Sequence, residues 1–264
     1  MTTLGLVAVR LKSSRLPKKA LKLLAGKPLI VRLMERLQNS RQLDELILCT
    51  STDAGDDEIE AIAAAHQFSL FRGDPLDVMS RFLQVAKNKN AHTVVRITGD
   101  NPLTDPDLLD YLVTQHLAHQ AEYSFTDQPP RGTRCEIIDV AALHRIYDQL
   151  EDPASSEYMT YMLKRPDHVK TQRVEIPDQR LHRPNMRLTV DTPEDFALME
   201  AIFNAFDGHP PPLAELIAWL EKHPDILQLN AHIQPVEDSS LFNVRYKSDE
   251  LGSLSDSQAK RIIL

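Results

Sequence analysis

The chain is short of the residues that build several familiar kinds of site. Its 264 residues hold two cysteines, Cys49 and Cys135, with no CxxC spacing and no neighbouring His/Cys pattern. This excludes a disulfide framework and a cysteine-based zinc site, and a reducing cytoplasm is the expected compartment. The eight glycines form neither GxxxxGK[ST] nor GxGxxG, so neither glycine-rich phosphate motif applies. Ten histidines show no HxxxH or HExxH spacing and are expected in surface or core roles. No serine, cysteine or histidine stands in a nucleophile arrangement. Positive charge is scarce too: the net charge of −8 argues against a nucleic-acid partner, since counterion release needs a basic face. No run of 18 apolar residues occurs, so no membrane span is expected. The start, MTTLGLVAVRLKSS, reads as a first strand rather than a signal peptide, because no basic residue precedes its apolar run.

What is present is an ordinary globular composition, 42% hydrophobic and 26% charged, with enough chain to bury a sizeable core. Short β-rich segments at residues 4–9, 45–50, 69–71 and 93–97 alternate with helical patterns at Leu29–Leu37 and around Ile59, Ile62, Ala63 and His66. That alternation predicts an α/β fold, a Rossmann-like and mostly parallel sheet with helices on both faces. Asp105-Pro106 predicts a helix running to about Ala118, with Asp105 as N-cap. Beyond Tyr123 the spacing predicts a strand at 134–138, helices at 140–150 and 155–163, and strands at 169–176 and 187–190. Thr192-Pro193-Glu194-Asp195 then opens a helix whose apolar face is Phe196, Met199, Ala201 and Phe203. Residues 1–233 are read as one domain, with 123–185 as a substrate-facing or dimer-forming extension. Residues 234–264, polar and serine-rich, are read as a tail or docking arm.

Three clusters carry chemistry. Arg10, Lys12, Arg15, Lys18 and Lys19 put five cations, with the hydroxyls of Ser13 and Ser14, into ten residues after the first strand. Strand carboxyl ends are where open α/β sheets bind ligands, and a polyphosphate suits such a loop, although a solvated basic loop is an equal alternative. Thr98-Gly99-Asp100 follows another buried strand. Gly99 permits close backbone approach and Asp100 offers a hard oxygen suited to magnesium, while a plain turn is the alternative. Asp191, expected at the end of the 187–190 strand, faces the same sheet edge or serves as a helix cap. Two carboxylates from separate strand ends can hold magnesium against phosphate oxygens.

These motifs, with Phe71-Arg72-Gly73-Asp74, Asp77-Val78, Arg81-Phe82 and Leu188-Thr189-Val190-Asp191, fall in an order that resembles the sugar cytidylyltransferases: the spore-coat polysaccharide biosynthesis protein F group and its relatives, the CMP-Kdo and CMP-sialate synthetases. The resemblance covers about residues 3–206. It implies a nucleotide-diphospho-sugar transferase fold, a homodimer, and transfer of CMP from CTP to a sugar acid. Arg10, Arg15 and Lys19 would bind the triphosphate, and Asp100 and Asp191 would hold Mg2+. Ala8, Val9, Ser13, Ser14, Thr98 and Gly99 would line the nucleotide site, with Arg72, Asp77 and Arg81 bordering it. Arg131, Gly132 and Glu136 resemble the sugar-facing segment, with a structural salt bridge an equally good account of Glu136. Two departures stand out: the family's usual Leu-Pro-Gly-Lys is Leu16-Pro17-Lys18-Lys19, and Ala8 replaces the usual Gln or Pro. A glycosyltransferase using a nucleotide-sugar donor, and a nucleotide-binding homologue without catalysis, are the rival readings.

Overall fold

A computed structural model describes residues 1–13, 15–151, 159–164 and 168–234. Ser14, residues 155–158 of the expected 155–163 helix and all but the first residue of the expected tail lie outside the described residues. The centre of the molecule is a seven-stranded sheet in the order β5-β4-β1-β6-β8-β7-β9. Strand β1 (Thr3–Ala8) is apolar along almost its whole length because it pairs in parallel on both sides, with β4 (Glu45–Ser51) and β6 (Thr93–Thr98). β5 (Ser69–Gly73) extends the parallel half beyond β4. On the other side β8 (Glu136–Asp139) runs antiparallel to both β6 and β7 (Tyr123–Phe125), and β9 (Thr171–Arg173) closes the edge parallel to β7. A small hairpin, β2 (Leu23–Leu24) with β3 (Lys27–Pro28), turns at Ala25-Gly26, both with positive φ. The chain leaves β1 for β4 on one side while β6 joins it on the other, so the carboxyl ends of β1 and β6 flank a topological switch point.

Helices cover both faces. α1 (Leu29–Leu37), α2 (Asp57–His66) and α4 (Pro106–His119) share one core with Val7, Val95 and Ile137. α3 (Val78–Asn88), α5 (Val140–Asp148) and α6 (Met159–Leu163) share the opposite core with Leu6, Val94 and Ile138. A third core gathers α7 (Pro193–Ala205) and α8 (Leu213–Glu221), with α9 (Pro224–Leu227) packed at its rim. Asp105 caps α4 by accepting from Leu108 N, as its sequence context predicts, and also accepts from Arg36 and from Leu213 N, tying α1, α4 and α8 together.

Three expected elements differ, the first being the 169–176 strand, which is confined to Thr171–Arg173. No strand forms at 187–190: Arg187 makes a single bridge to Arg131, and Leu188 and Val190 are apolar because the loop they form is buried against α7 and α8. The buried stripe of α7 is Asp195, Leu198, Met199, Ile202 and Phe203, and Ala201 lies off that spacing.

His116, buried on α4, sits with Nδ1 2.9 Å from Ser124 Oγ, and that hydroxyl donates to Gln172 Oε1 at 3.1 Å. Burial pushes the imidazole from 6.5 down to about 4, with the Asp139 charge opposing. Between those values the unfolded chain takes up a proton that the folded chain refuses, so stability rises with pH there and is lost as pH falls. Urea unfolding from pH 7 to pH 4 should show a loss attributable to this group of up to about 3 kcal/mol, which His116→Asn removes. Parallel pH curves for the two proteins would contradict this account.

Candidate active site

The loop after β1 is held from below. Leu11 and Leu16 are buried, Leu11 N donates to Asp56 Oδ1 at 2.8 Å, and Ser51 Oγ donates to the other oxygen of Asp56 at 2.5 Å. Asp56 was not singled out by its sequence context, since a carboxylate that receives backbone donors from a distant loop leaves no local signature. Ser13 Oγ accepts from Leu16 N at 3.3 Å, and Lys18 N donates to Leu11 O at 3.1 Å, closing the loop. Lys18 adopts φ 53, the left-handed conformation that the glycine of the resembled motif takes without strain. Lys18→Gly should therefore be more stable than Lys18→Ala by about 1 kcal/mol in thermal or urea unfolding. Both variants lose the Lys18–Glu58 ion pair, so the comparison isolates the backbone. Equal stability would mean that the loop relaxes its φ at this position.

Lys19 opens a 3-10 turn directly after Lys18 and sends its ammonium inward. Its Nζ donates to Asp100 Oδ2 at 2.7 Å, to Val190 O at 2.7 Å and to Asp191 Oδ1 at 3.0 Å. Three segments separated by up to 172 residues thus meet at one atom. Asp100 is placed by the turn after β6, where Gly99 N donates to Ala8 O at 2.8 Å. A Cβ at Gly99 would stand 2.8 Å from Val9 Cβ and 3.1 Å from Ala8 O, so the turn requires glycine. Asp191 is placed by its neighbours. Arg187 donates to Asp191 Oδ2 at 3.1 Å and to both oxygens of Asp195, and Asp195 accepts from the backbone of Asp191 and Thr192. Thr192 and Asp195 complete a capping box at α7. Asn230 donates to Asp195 Oδ1 at 2.8 Å, so α7 and the chain beyond α9 brace the same carboxylate. Arg187 and Asn230, like Asp56, are site residues that sequence reading missed; the strand expected at 187–190 concealed Arg187.

The electrostatics follow from this packing. Burial pulls the Lys19 ammonium down, but Asp100 and Asp191 outweigh it and leave it above the ordinary lysine value. Burial pushes the Asp191 carboxyl up, and Lys19, Arg15 and Arg187 more than offset this, holding it below the usual carboxylate range. Arg15 reaches Asp191 Oδ1 at 3.2 Å from a half-exposed position. Among the described residues no three His, Cys, Asp or Glu side chains gather as a metal-holding group. Asp100 and Asp191 are nevertheless two hard-oxygen donors converging on one positive centre, a set that suits a cation completed by phosphate oxygens.

The remaining predicted residues divide. Arg10 donates to Pro75 O at 3.2 Å and lies close enough to Arg81 for their charges to oppose, so it serves the β4–β5 side of the edge. Arg81 is buried, donates to Cys49 O at 3.3 Å and leaves Nε without a partner among the described residues. Asp77 caps α3 and accepts from Tyr147 Oη at 2.6 Å. Arg72 is occupied by Ser51 O, Asp53 O, Asp57 and Glu60, which bind it to the α2 side. Val9 turns its side chain into the core, leaving Ala8 and the backbone at the edge. Thr98 accepts from Asn101 Nδ2 at 2.5 Å. Arg131 is exposed, and its backbone pairs with Met186 and Leu188. Gly132 lies against that same loop. Glu136 receives Arg96 at 2.6 Å and Tyr123 Oη at 2.7 Å, the salt-bridge alternative of its sequence reading.

The described residues contain no helix long and apolar enough to cross a membrane. The chain is 32% identical over 229 residues to spore coat polysaccharide biosynthesis protein SpsF of Bacillus subtilis, covering 84% of this chain and 95% of that one. It is 31% identical over 154 residues to a 3-deoxy-manno-octulosonate cytidylyltransferase of Chlorobium phaeobacteroides, covering 58% of this chain and 56% of the relative. A solved cytidylyltransferase of Leptospira borgpetersenii superposes with a TM-score of 0.77 at 26% identity, over 90% of this chain and 98% of that one. With the family model for cytidylyltransferases matching residues 4–231, on a parallel-sheet edge where a lysine joins two distant aspartates, the chain belongs to the cytidylyltransferase family and is a nucleotidyltransferase.

Proposed function

We propose that the protein transfers CMP from CTP to a hydroxyl of a sugar acid of the ulosonic or sialic type, releasing pyrophosphate, in surface polysaccharide biosynthesis. The observation that supports this best is the Lys19 ammonium held between Asp100 and Asp191 at the switch point of the sheet. Arg15 and Lys19 lie at one end of the loop after β1 and Arg10 at the other, cations suited to successive phosphates of a triphosphate. In this reading the sugar hydroxyl attacks the α-phosphorus in line; the new O–P bond forms as the bond to pyrophosphate breaks, and the hydroxyl proton leaves to solvent or a nearby base. Lys19 and Arg15 stabilise the charge that gathers on the leaving pyrophosphate, and the rigid turns at Gly99 and Thr192 fix the aspartates, so catalysis is positioning and electrostatics. Asp100 and Asp191 are the residues that would hold Mg2+, which when bound supplies charge neutralisation at the phosphate oxygens.

The test is incubation with each nucleoside triphosphate, Mg2+ and a panel of sugar acids and neutral sugars, with pyrophosphate as readout. Pyrophosphate formation that requires CTP and a sugar acid is the expected result. Nucleotide release from a nucleotide-sugar, without pyrophosphate, would replace this reading with glycosyl transfer.

A further inference from the structure

Beside Asp100 on the sheet lies a second charged cluster that the nucleotide chemistry leaves unused. Arg96, on β6, is close enough to Asp100 to feel its charge, and pairs with Glu136 on the neighbouring β8. Its buried Nε has no hydrogen-bond partner among the described residues. Among the described residues the guanidinium bonds of Arg134, two residues before Glu136, are long, to Pro130 O at 3.3 Å and Thr126 O at 3.4 Å. Lys164, just beyond α6, holds its ammonium 4.4 Å from the centroid of the Phe125 ring and makes no ion pair with any described residue. Asp127, the other carboxylate nearby, is engaged by Arg173 at 2.7 Å. Arg96, Arg134 and Lys164 therefore surround Glu136 as an excess of positive charge.

We propose that Lys164 and Arg134 form the subsite for the carboxylate of the acceptor sugar, so that the enzyme selects an acid over a neutral sugar; this rests on the cytidylyl-transfer reading. Partly buried cations that make no ion pair with a described residue are costly, and a cation over an aromatic face recovers only part of the lost hydration. Burial pulls Lys164 below the ordinary lysine value, and although Glu136 and Asp127 oppose this, Arg134 and Arg96 reinforce it. Burial likewise takes Arg134 down to about 10. An incoming carboxylate relieves both costs, whereas a neutral group of the same shape relieves neither. Glu136, bound by Arg96 and Tyr123, then acts as a positioning residue that keeps the cluster from flying apart, and the nearness of Arg96 to Asp100 sets the carboxylate subsite beside the phosphate site.

Calorimetry on the full chain with 3-deoxy-manno-octulosonate and its C1 methyl ester, each with and without Mg2+ and α,β-methylene-CTP, tests this. The acid should bind about tenfold or more tightly than the ester, and Lys164→Gln and Arg134→Gln should each abolish most of that preference while nucleotide affinity stays within about twofold. Arg134→Lys, which keeps the charge, should retain part of it, and melting curves confirm that the variants fold. Equal affinity for acid and ester, a preference kept by both glutamine variants, or no binding of either probe by a protein that binds the nucleotide would overturn the subsite. Absence of nucleotide binding would instead overturn the cytidylyl-transfer reading, and the acid-to-ester comparison without nucleotide still decides the subsite.

Discussion

Asp100→Asn is expected to give a folded protein whose cytidylyl transfer is slower by about 10³, the scale of losing one preorganised electrostatic partner at a phosphoryl centre. The change is nearly isosteric, so it isolates charge. Asp100 Oδ2 accepts from Lys19, and its side chain is 25% exposed, so little core packing depends on it. With asparagine there, Asp191 is the carboxylate partner left to Lys19 among the described residues, and the pair of hard oxygens suited to Mg2+ is halved. The Mg2+ concentration needed for half-maximal turnover should rise together with the loss of kcat. Circular dichroism should be unchanged, and the melting temperature should move by no more than a few degrees. Activity within tenfold of the parent at saturating Mg2+ would remove Asp100 from the chemistry and leave it a structural partner of Lys19. The same experiment at Asp191 is less clean, because Arg187 binds Asp191 and Asp195 together, and removing one charge disturbs the capping of α7.

Why the site could be read from sequence at all, and where reading failed, has a physical explanation. The parallel half of the sheet announces itself because strands buried on both faces are continuous apolar runs, as in Thr3–Ala8 and Thr93–Thr98. Asp105-Pro106 and Thr192-Pro193 mark helix starts by local chemistry, and both cap as that chemistry dictates. Lys19, in the cationic loop after the first strand, could be grouped with Asp100 and Asp191 because each of those two follows a buried apolar stretch. The stretch before Asp191 proved to be a loop rather than a strand, and burial alone had produced the same pattern. What stayed hidden depends on partners distant in the chain. Asp56 clamps the N-terminal loop across 45 residues, and Asn230 braces Asp195 across 35, with nothing in their own surroundings to mark them. Arg72 shows the converse: its motif suggested a ligand, yet Asp57 and Glu60 on α2 already use its guanidinium. Arg134 and Lys164 gain meaning only from partial burial where positive charge outnumbers negative, a property of the folded state that no sequence pattern reports.

The largest stability effect is expected at Gly132, a residue first read as facing the sugar. Its φ of +94 is costly for any side chain, and a Cβ there would stand 2.3 Å from Leu188 O and 2.4 Å from Thr189 N. Those atoms are backbone, so no rotamer change can relieve the clash; either the 131–133 segment or the 187–190 loop must move. The loop is held by Leu188 N donating to Arg131 O at 2.7 Å and by Val190 N donating to Asp100 O at 3.0 Å, so a shift there displaces Val190 O and Asp191 from Lys19. Gly132→Ala should cost about 3 kcal/mol, the sum of left-handed strain and forced backbone displacement, and lower the melting temperature by roughly 8 °C. It should also slow turnover by about tenfold or more, although no reacting group has been altered. Gly26→Ala supplies the control. Gly26 has φ +80 in the β2–β3 turn with nothing within 4 Å of a built Cβ, so alanine there carries the strain alone, about 1 kcal/mol, and leaves turnover unchanged. If the two alanine variants lose equal stability, the close approach of Gly132 to the 187–190 loop is not what holds Asp191 in place.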